Sequence, residues 1–333
     1  VGLAIMIAIL ACIALLRVII YRAPGSVGDG ASGAGTHSIE WSWPTGEIAI
    51  YRWTPLAISI IVGSSLGVSG TLLQALLRNP LASPFILGIS SGAALGIVAA
   101  SYVGYAYDVD SLRAGNNTVP AVIGALLTLG VVYGLGQRGG WLDPISLVLI
   151  GVIVAAICGA GIMFFQHLVP YGLRGDLATW MMGSIRQGVG ATTMIACGSI
   201  AGAGIAVSAL MGRAMDAATL GDDEARSVGL SLGSLRAWMF ILAGVLAAMS
   251  VALAGPIGFV GLIAPHAARM LLGPRHTDVV LGAAMLGAAV VVAADVSSQI
   301  FSIGGGRMPA GIFTAIVGGP AFIWLLRSWR GQS

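Results

Sequence analysis

QALLRNPLASPFILGISSGAALG, Gln74 to Gly96, interrupts two apolar runs with an arginine, an asparagine, two prolines and a set of glycines and serines. An arginine at the middle of a bilayer costs about 2.5 to 3.5 kcal/mol on insertion scales, which puts Arg78 at a membrane surface. Pro80 and Pro84 lack backbone donors, and each disfavours helix in the residue before it. The spacing predicts a tight irregular elbow from Asn79 to Pro84 between two membrane spans, with Arg78, Asn79 and Pro80 as its structural motif.

The rest of the chain agrees with a membrane reading. Of its 333 residues, 57% are hydrophobic and 9% charged, against about 25% charged in soluble domains. Apolar runs of about 20 residues, the length that crosses a ~30 Å hydrocarbon layer, recur throughout. Ten candidate spans lie at 1–20, 54–77, 85–103, 119–136, 145–166, 190–211, 235–254, 257–272, 278–299 and 309–328. Long unbroken runs rather than short alternating ones exclude a β-barrel. The fold class is an all-α membrane protein with about ten transmembrane helices, one polytopic domain over residues 1–333. The first residue, Val1, is expected to follow residues removed or left out. The first run continues through Ile20, longer than the core of a usual signal peptide, and reads as a span.

An even number of spans puts both termini on one side. With the C-terminus inside, nine of the sixteen arginines fall at cytoplasmic ends, in the sense of the positive-inside rule. No lysine occurs, so a phosphate-binding P-loop, which needs one, is excluded. Any nucleotide hydrolysis that drives this protein belongs to another subunit. A net charge of +3 carries no nucleic-acid signature. Cys12, Cys158 and Cys197 stand singly in apolar runs, as small buried hydrophobes rather than a zinc or redox set. His37, His167 and His276 are scattered, and no metal site is expected from this chain.

The Gly- and Ser-rich segment Arg22 to Trp53 reads as an external loop with interfacial tryptophans, and Tyr105 to Pro120 as a loop on the same side. On the opposite side Gly212 to Arg236 carries the densest charge, Asp222, Asp223 and Glu224. Glycines four apart, Gly63 and Gly67, then Gly88, Gly92 and Gly96, allow close helix approach. A second interruption, Ala254 to His276, ends one span at Gly255 and Pro256 and carries Pro265, His266 and Arg269 on a short helix toward the inner surface. No carboxylate or third ligand accompanies that histidine and arginine, which makes a helix end rather than a metal pair. Asp295 is the one acid inside a span, with Ser298 and Gln299 one turn on as candidate partners, in a structural or docking role.

Four segments, LLQALLRNPLASPFILGISSGAALG (72–96), TLGDDEARSVGL (219–230), AGPIGFVGLIAPHAARMLLG (254–273) and PAGIFTAIVGGPAFIWLL (309–326), together resemble the FecCD/BtuC-type permeases of iron-siderophore, haem and cobalamin ABC importers. The resemblance covers nearly the whole chain from Arg52 onward. It implies a non-enzymatic transport subunit in a bacterial or archaeal inner membrane, without catalytic residues or cofactor. ATP and Mg would sit on two cytoplasmic ATP-binding subunits. A second permease copy and an external substrate-binding protein would complete the assembly.

The resemblance also implies residue roles. Leu220, Gly221, Asp222, Asp223, Glu224, Ala225 and Arg226, within a cytoplasmic region of about 212–236, would couple to the ATPase. Asp143, Pro144 and Ile145, in GGWLDPIS, would form a cytoplasmic gate, with the fifth span lining the path. Arg52 matches a position that docks the binding protein. A second such position reads Pro55 and a third Gln299, and Arg307 close by is expected to substitute. The wording of Asn79 to Gly96 is closer to siderophore permeases, which ranks a ferric siderophore before haem and cobalamin as cargo. An ion-coupled secondary transporter would need several intramembrane ionisable groups, and only Asp295 qualifies. An intramembrane enzyme would need a nucleophile, base and orienter at compatible spacing, and none exists.

Overall fold

The computed structural model of the chain describes residues 2–22, 39–46, 48–109, 112, 118–138, 141–303 and 306–329. Thirteen α-helices occur among them: α1 Gly2–Ile19, α2 Ile48–Leu76, α3 Ile89–Ala106, α4 Thr118–Leu135, α5 Pro144–Leu168, α6 Tyr171–Met181, α7 Ala191–Leu210, α8 Gly212–Ala218, α9 Asp222–Ser227, α10 Leu232–Ala254, α11 Val260–Leu272, α12 His276–Ile300 and α13 Ala310–Trp329. Eight of these are long and apolar enough to cross a membrane. The all-α membrane class follows from them, and the few β-pairs are two or three residues long.

Two of the expected spans change character. The stretch 257–272 contains a helix of 13 residues, about 20 Å at 1.5 Å per residue, too short to cross ~30 Å upright. Its start is set by the break at Gly255 and Pro256, after which Phe259 takes a left-handed φ of 67°. Conversely, α2 begins at Ile48 rather than at 54 and runs through Pro55. A spanning helix absorbs one proline where its neighbours supply the packing. Between the fifth and sixth expected spans lies α6, an 11-residue helix absent from the hydropathy pattern. Arg174 explains its position: Nε and Nη2 donate at 2.9 Å to the carbonyls of Val169 and His167, satisfying the open C-terminal end of α5.

The core is built from α2, α10 and α12. Within their apolar stretches 83%, 72% and 72% of residues are buried, against 22% in α5 and α7 and 17% in α1. The outer helices therefore turn most of their apolar surface to lipid or to partners. Cys12 illustrates this: it is exposed on α1, against the expectation of burial, while Cys158 and Cys197 are buried.

Backbone contact holds the centre. A Cβ on Gly63 would lie 2.3 Å from the Gly287 carbonyl oxygen, and one on Gly67 would lie 2.1 Å from that of Ala283, so α2 and α12 touch without intervening side chains. One turn on, a Cβ on Gly70 would fall 1.9 Å from the Gly261 oxygen of α11. The same device joins α3 to α4 through Gly92, Gly96 and Gly124. Where hydrocarbon solvates apolar side chains as well as a neighbouring helix does, such close approach supplies the dispersion contact that drives association.

Candidate functional site

The elbow after α2 is built as its prolines require. Arg78 takes a φ of 46°, the Asn79 N–H donates back to the Gln74 carbonyl at 3.1 Å, and Asn79 Oδ1 accepts from the Leu81 N–H at 2.9 Å. Pro84 opens a 3-10 turn, Pro84–Leu87, and Gly88, with φ 72°, ends that turn and starts α3. A left-handed residue joining two helical pieces is a position glycine fills without steric cost.

This elbow is tied to the acidic segment. Arg78 Nη2 donates to the Ala218 carbonyl at 2.9 Å and to the Asp222 carboxylate. Arg236 Nη2 approaches the two oxygens of that carboxylate at 3.0 and 2.8 Å. Asp222 thus joins the end of α2, the start of α9 and the start of α10. Desolvation acts against ionisation here, but the hydrogen bonds and charges of Arg236 and Arg78 outweigh it and hold the carboxyl below its ordinary value.

Around this joint α9 is a surface helix with one anchor. Gly221 has φ 135° and Ala225 is fully buried, whereas Leu220 and Val228 are 71% and 70% exposed. Asp223 stands out in solvent, with Arg226 Nη1 at 3.7 Å, and Glu224 is exposed. Exposed apolar side chains flanking exposed charges give this ridge the composition of a contact surface.

The other side of the elbow rests on α5. A Cβ on Gly88 would sit 3.1 Å from the Gly151 oxygen, and one on Gly151 would sit 2.6 Å from that of Ile86. At the near end of α5, Asp143 is the N-cap and accepts from the Ser146 N–H at 2.9 Å and its hydroxyl at 2.6 Å. Pro144 occupies the first turn, where its missing donor costs nothing, and Ile145 is 71% exposed. The expected gate residues and the acidic segment therefore share one end of the bundle, with the elbow between them.

Also at this end, Pro265 is buried in α11 and His266 is half-buried. Arg269 Nη1 donates to Gln74 Oε1 at 2.5 Å, and Gln74 Nε2 approaches the Gly261 carbonyl at 3.4 Å. His276 meets Asp216 Oδ1 through Nδ1 at 2.6 Å and through its backbone N–H at 2.9 Å. A cleft of about 680 Å³ opens between these groups. Among the described residues no group of His, Cys, Asp or Glu could hold a metal ion.

The opposite end departs from expectation. Asp295 is 2% exposed and pairs with Arg17 Nε of α1. Its partner is that arginine rather than Ser298 or Gln299, and Ser298 Oγ donates instead to the Met308 carbonyl at 2.5 Å. Arg52 is only 2% exposed, with Nη1 directed to the carbonyls of Val18 at 3.2 Å and Ser42, and Nη2 2.9 Å from Ser42 Oγ. Here it fastens α2 to the segments around α1 instead of presenting a surface charge. Arg307 closes a two-residue antiparallel pair with Ser302, and its side chain lies outside the described residues, as do His37, Gly139 and Gly140. The Arg17 and Asp295 pairing escaped the sequence reading, although one acid and one base in two separate apolar runs was the available signal.

Comparison with known proteins agrees with this architecture. The FecCD transport family matches residues 4–328. The hemin transport system permease protein HmuU of Yersinia pestis is 32% identical over 96% of this chain and 95% of its own length. The cobalamin import system permease protein BtuC of Halobacterium salinarum is 33% identical over 84% of this chain and 73% of its own. A solved structure described as an inward-facing conformation of a metal-chelate type ABC transporter superposes with a TM-score of 0.80, at 25% identity over 98% of both chains. Matched over residues 4–328 and carrying eight candidate apolar spans among the described residues, the chain belongs to the FecCD transport family and is a multi-pass membrane permease.

Proposed function

We propose that this chain is the permease subunit of an ATP-driven importer that moves a bulky iron chelate by alternating access, with a ferric siderophore as first cargo, haem second and cobalamin third. The observation that carries the proposal is the continuous contact path from Asp222 through Arg78 and the Asn79 to Gly88 elbow onto α5. In this reading an ATPase grips the ridge formed by Leu220, Gly221, Asp222, Asp223, Glu224, Ala225 and Arg226. Its closure pulls on the elbow, and the elbow shifts α5, whose first turn holds Asp143, Pro144 and Ile145 at the mouth of the path. Region 212–236 is the coupling part of one permease domain. Two ATP-binding subunits with their Mg and ATP, a second copy of this chain and an external binding protein complete the machine. Docking of the binding protein falls to Arg307, while Arg52 holds the backbone of Val18 and Ser42.

An ion-coupled secondary transporter is disfavoured because Asp295, the acid it would use, is spent on Arg17. The test is to extract the tagged chain in mild detergent, recover the accompanying ATPase and reconstitute both. Hydrolysis that rises with cargo-loaded binding protein, screened over ferric siderophores, haem and cobalamin, supports the importer and names its cargo. A well-folded chain without an ATPase overturns it.

A further inference from the structure

The cleft between the ends of α2, α8, α11 and α12 carries more positive charge than its neighbours use. Arg78, Arg269, Arg275 and His276 line it, and Asp216 is the one carboxylate in the lining. Arg78 is paired with Asp222, and Asp216 is committed to His276. Among the described residues, Arg269 has only the neutral Gln74 as a side-chain partner. Arg275 is exposed, and its side chain makes no hydrogen bond or ion pair among the described residues. Two guanidinium groups therefore face one cleft with no carboxylate of its lining left to pair with them, at the N-terminal end of the 25-residue helix α12, whose own acid, Asp278, stands in the first turn outside that lining. Planar guanidinium groups match the oxygens of a phosphate.

The surroundings select the source of that phosphate. Met270 and Leu271, on the last turn of α11 next to Arg269, are 63% and 57% exposed. The first turn of α1 packs there, since a Cβ on Gly2 would meet Leu272 at 2.8 Å. The cleft thus lies level with the end of a spanning helix, at the depth of lipid headgroups, with an apolar shelf beside its cations. Its volume of about 680 Å³ lies within the usual range of small-ligand sites, about 300 to 1,000 Å³.

We propose that this cleft binds the phosphate headgroup of an anionic phospholipid, held by Arg269 and Arg275, with acyl chains over Met270 and Leu271. The site fixes the junction of α11 and α12 to the membrane surface next to the Arg78 and Asp222 joint.

The test uses the full chain, purified and delipidated in detergent, titrated with phosphatidylglycerol or phosphatidylcholine and read by native mass spectrometry. The wild type should retain phosphatidylglycerol in preference to phosphatidylcholine. Arg275→Gln should weaken phosphatidylglycerol retention about fivefold, the equivalent of one arginine at a lipid surface, and Arg269→Gln with Arg275→Gln about 25-fold. Arg275→Lys, which keeps the charge, should restore most of the single loss, and circular dichroism checks that each variant is folded. Equal retention of the two lipids, or an unchanged Arg275→Gln, overturns the proposal. If inorganic phosphate raises the unfolding midpoint in an Arg275-dependent way while neither lipid is retained, the site takes a soluble anion and the lipid assignment falls. If Arg275→Gln spares lipid retention but weakens ATPase capture, the cleft is a protein contact and the assignment falls equally. Lipid retention is read on the permease alone, so its failure leaves the importer reading standing.

Discussion

Replacing Asp222 by asparagine keeps the shape of the three-way joint and removes its charge. Arg236, 17% exposed at its side chain, loses a charge-assisted contact to both oxygens, and such a bond contributes about 1.5 to 3 kcal/mol. Arg78 is 49% exposed and Asp222 itself 35%, so that second pair is screened and adds about 0 to 1 kcal/mol. Taking the low end of the first range, about 1.5 kcal/mol, because water reaches the carboxylate, and the middle of the second, about 0.5 kcal/mol, the joint contributes about 2 kcal/mol, which corresponds to a roughly 30-fold change in the docked population of α9. Amide hydrogen exchange reads this population at the bonds that close the helix, from the Ala225 N–H to the Gly221 carbonyl and from the Gly229 N–H to the Arg226 carbonyl. Exchange at these amides should accelerate about 30-fold, while Asp223→Asn, far out in solvent, should leave them unchanged. Exchange within threefold of the parent in Asp222→Asn would show that α9 is held by Ala225 packing alone and that the carboxylate does not connect the elbow to the ridge.

The same carboxylate sets a pH dependence. Its native value lies below the ordinary 3.8, so its contribution is complete above that pH and is lost as pH falls through the lowered native value; protection of α9 that already decays above pH 5 would point to another group. Gly67→Ala would place a Cβ 2.1 Å from a backbone oxygen and should cost about 1 to 3 kcal/mol, whereas Gly130→Ala, with open space around it, should lower no unfolding midpoint in detergent; similar midpoints for the two variants would contradict the α2 and α12 seam. Asp295→Asn leaves the buried Arg17 guanidinium without its counter-charge and should cost about 3 to 5 kcal/mol, read as aggregation at lower temperature. Arg17→Met combined with Asp295→Leu should recover most of that loss, and a double variant no better than the single one would refute the pairing.

Much of this architecture was legible in the residues. Spans follow from run length because an α-helix satisfies its own backbone within lipid, and the elbow follows from Pro80 and Pro84. What escaped was whatever depends on partners far apart in sequence. Arg52 reads as a docking cation from its match to a family position, but its burial is decided by carbonyls at Val18 and Ser42. Asp295 reads as a lone acid because nothing local marks Arg17, 278 positions away, as its counter-charge. The short α11 was counted as a span because hydropathy averages over Gly255 and Pro256, whereas the backbone stops at them. Helix α6 is too polar for a hydropathy window, and its place depends on Arg174 reaching back to the end of α5.

The carbonyl-to-glycine seam between α2 and α12 limits which parts of the molecule can take part in a transport cycle. Two backbones in direct contact have no side-chain rotamers with which to absorb sliding, so any shear between them meets hard repulsion at once and any separation forfeits the whole contact. That pair behaves as a fixed mast. In the proposed cycle, displacement would then fall to the helices rigged around it, above all α5, of whose apolar stretch only 22% is buried and whose close contact is with the elbow rather than with the mast.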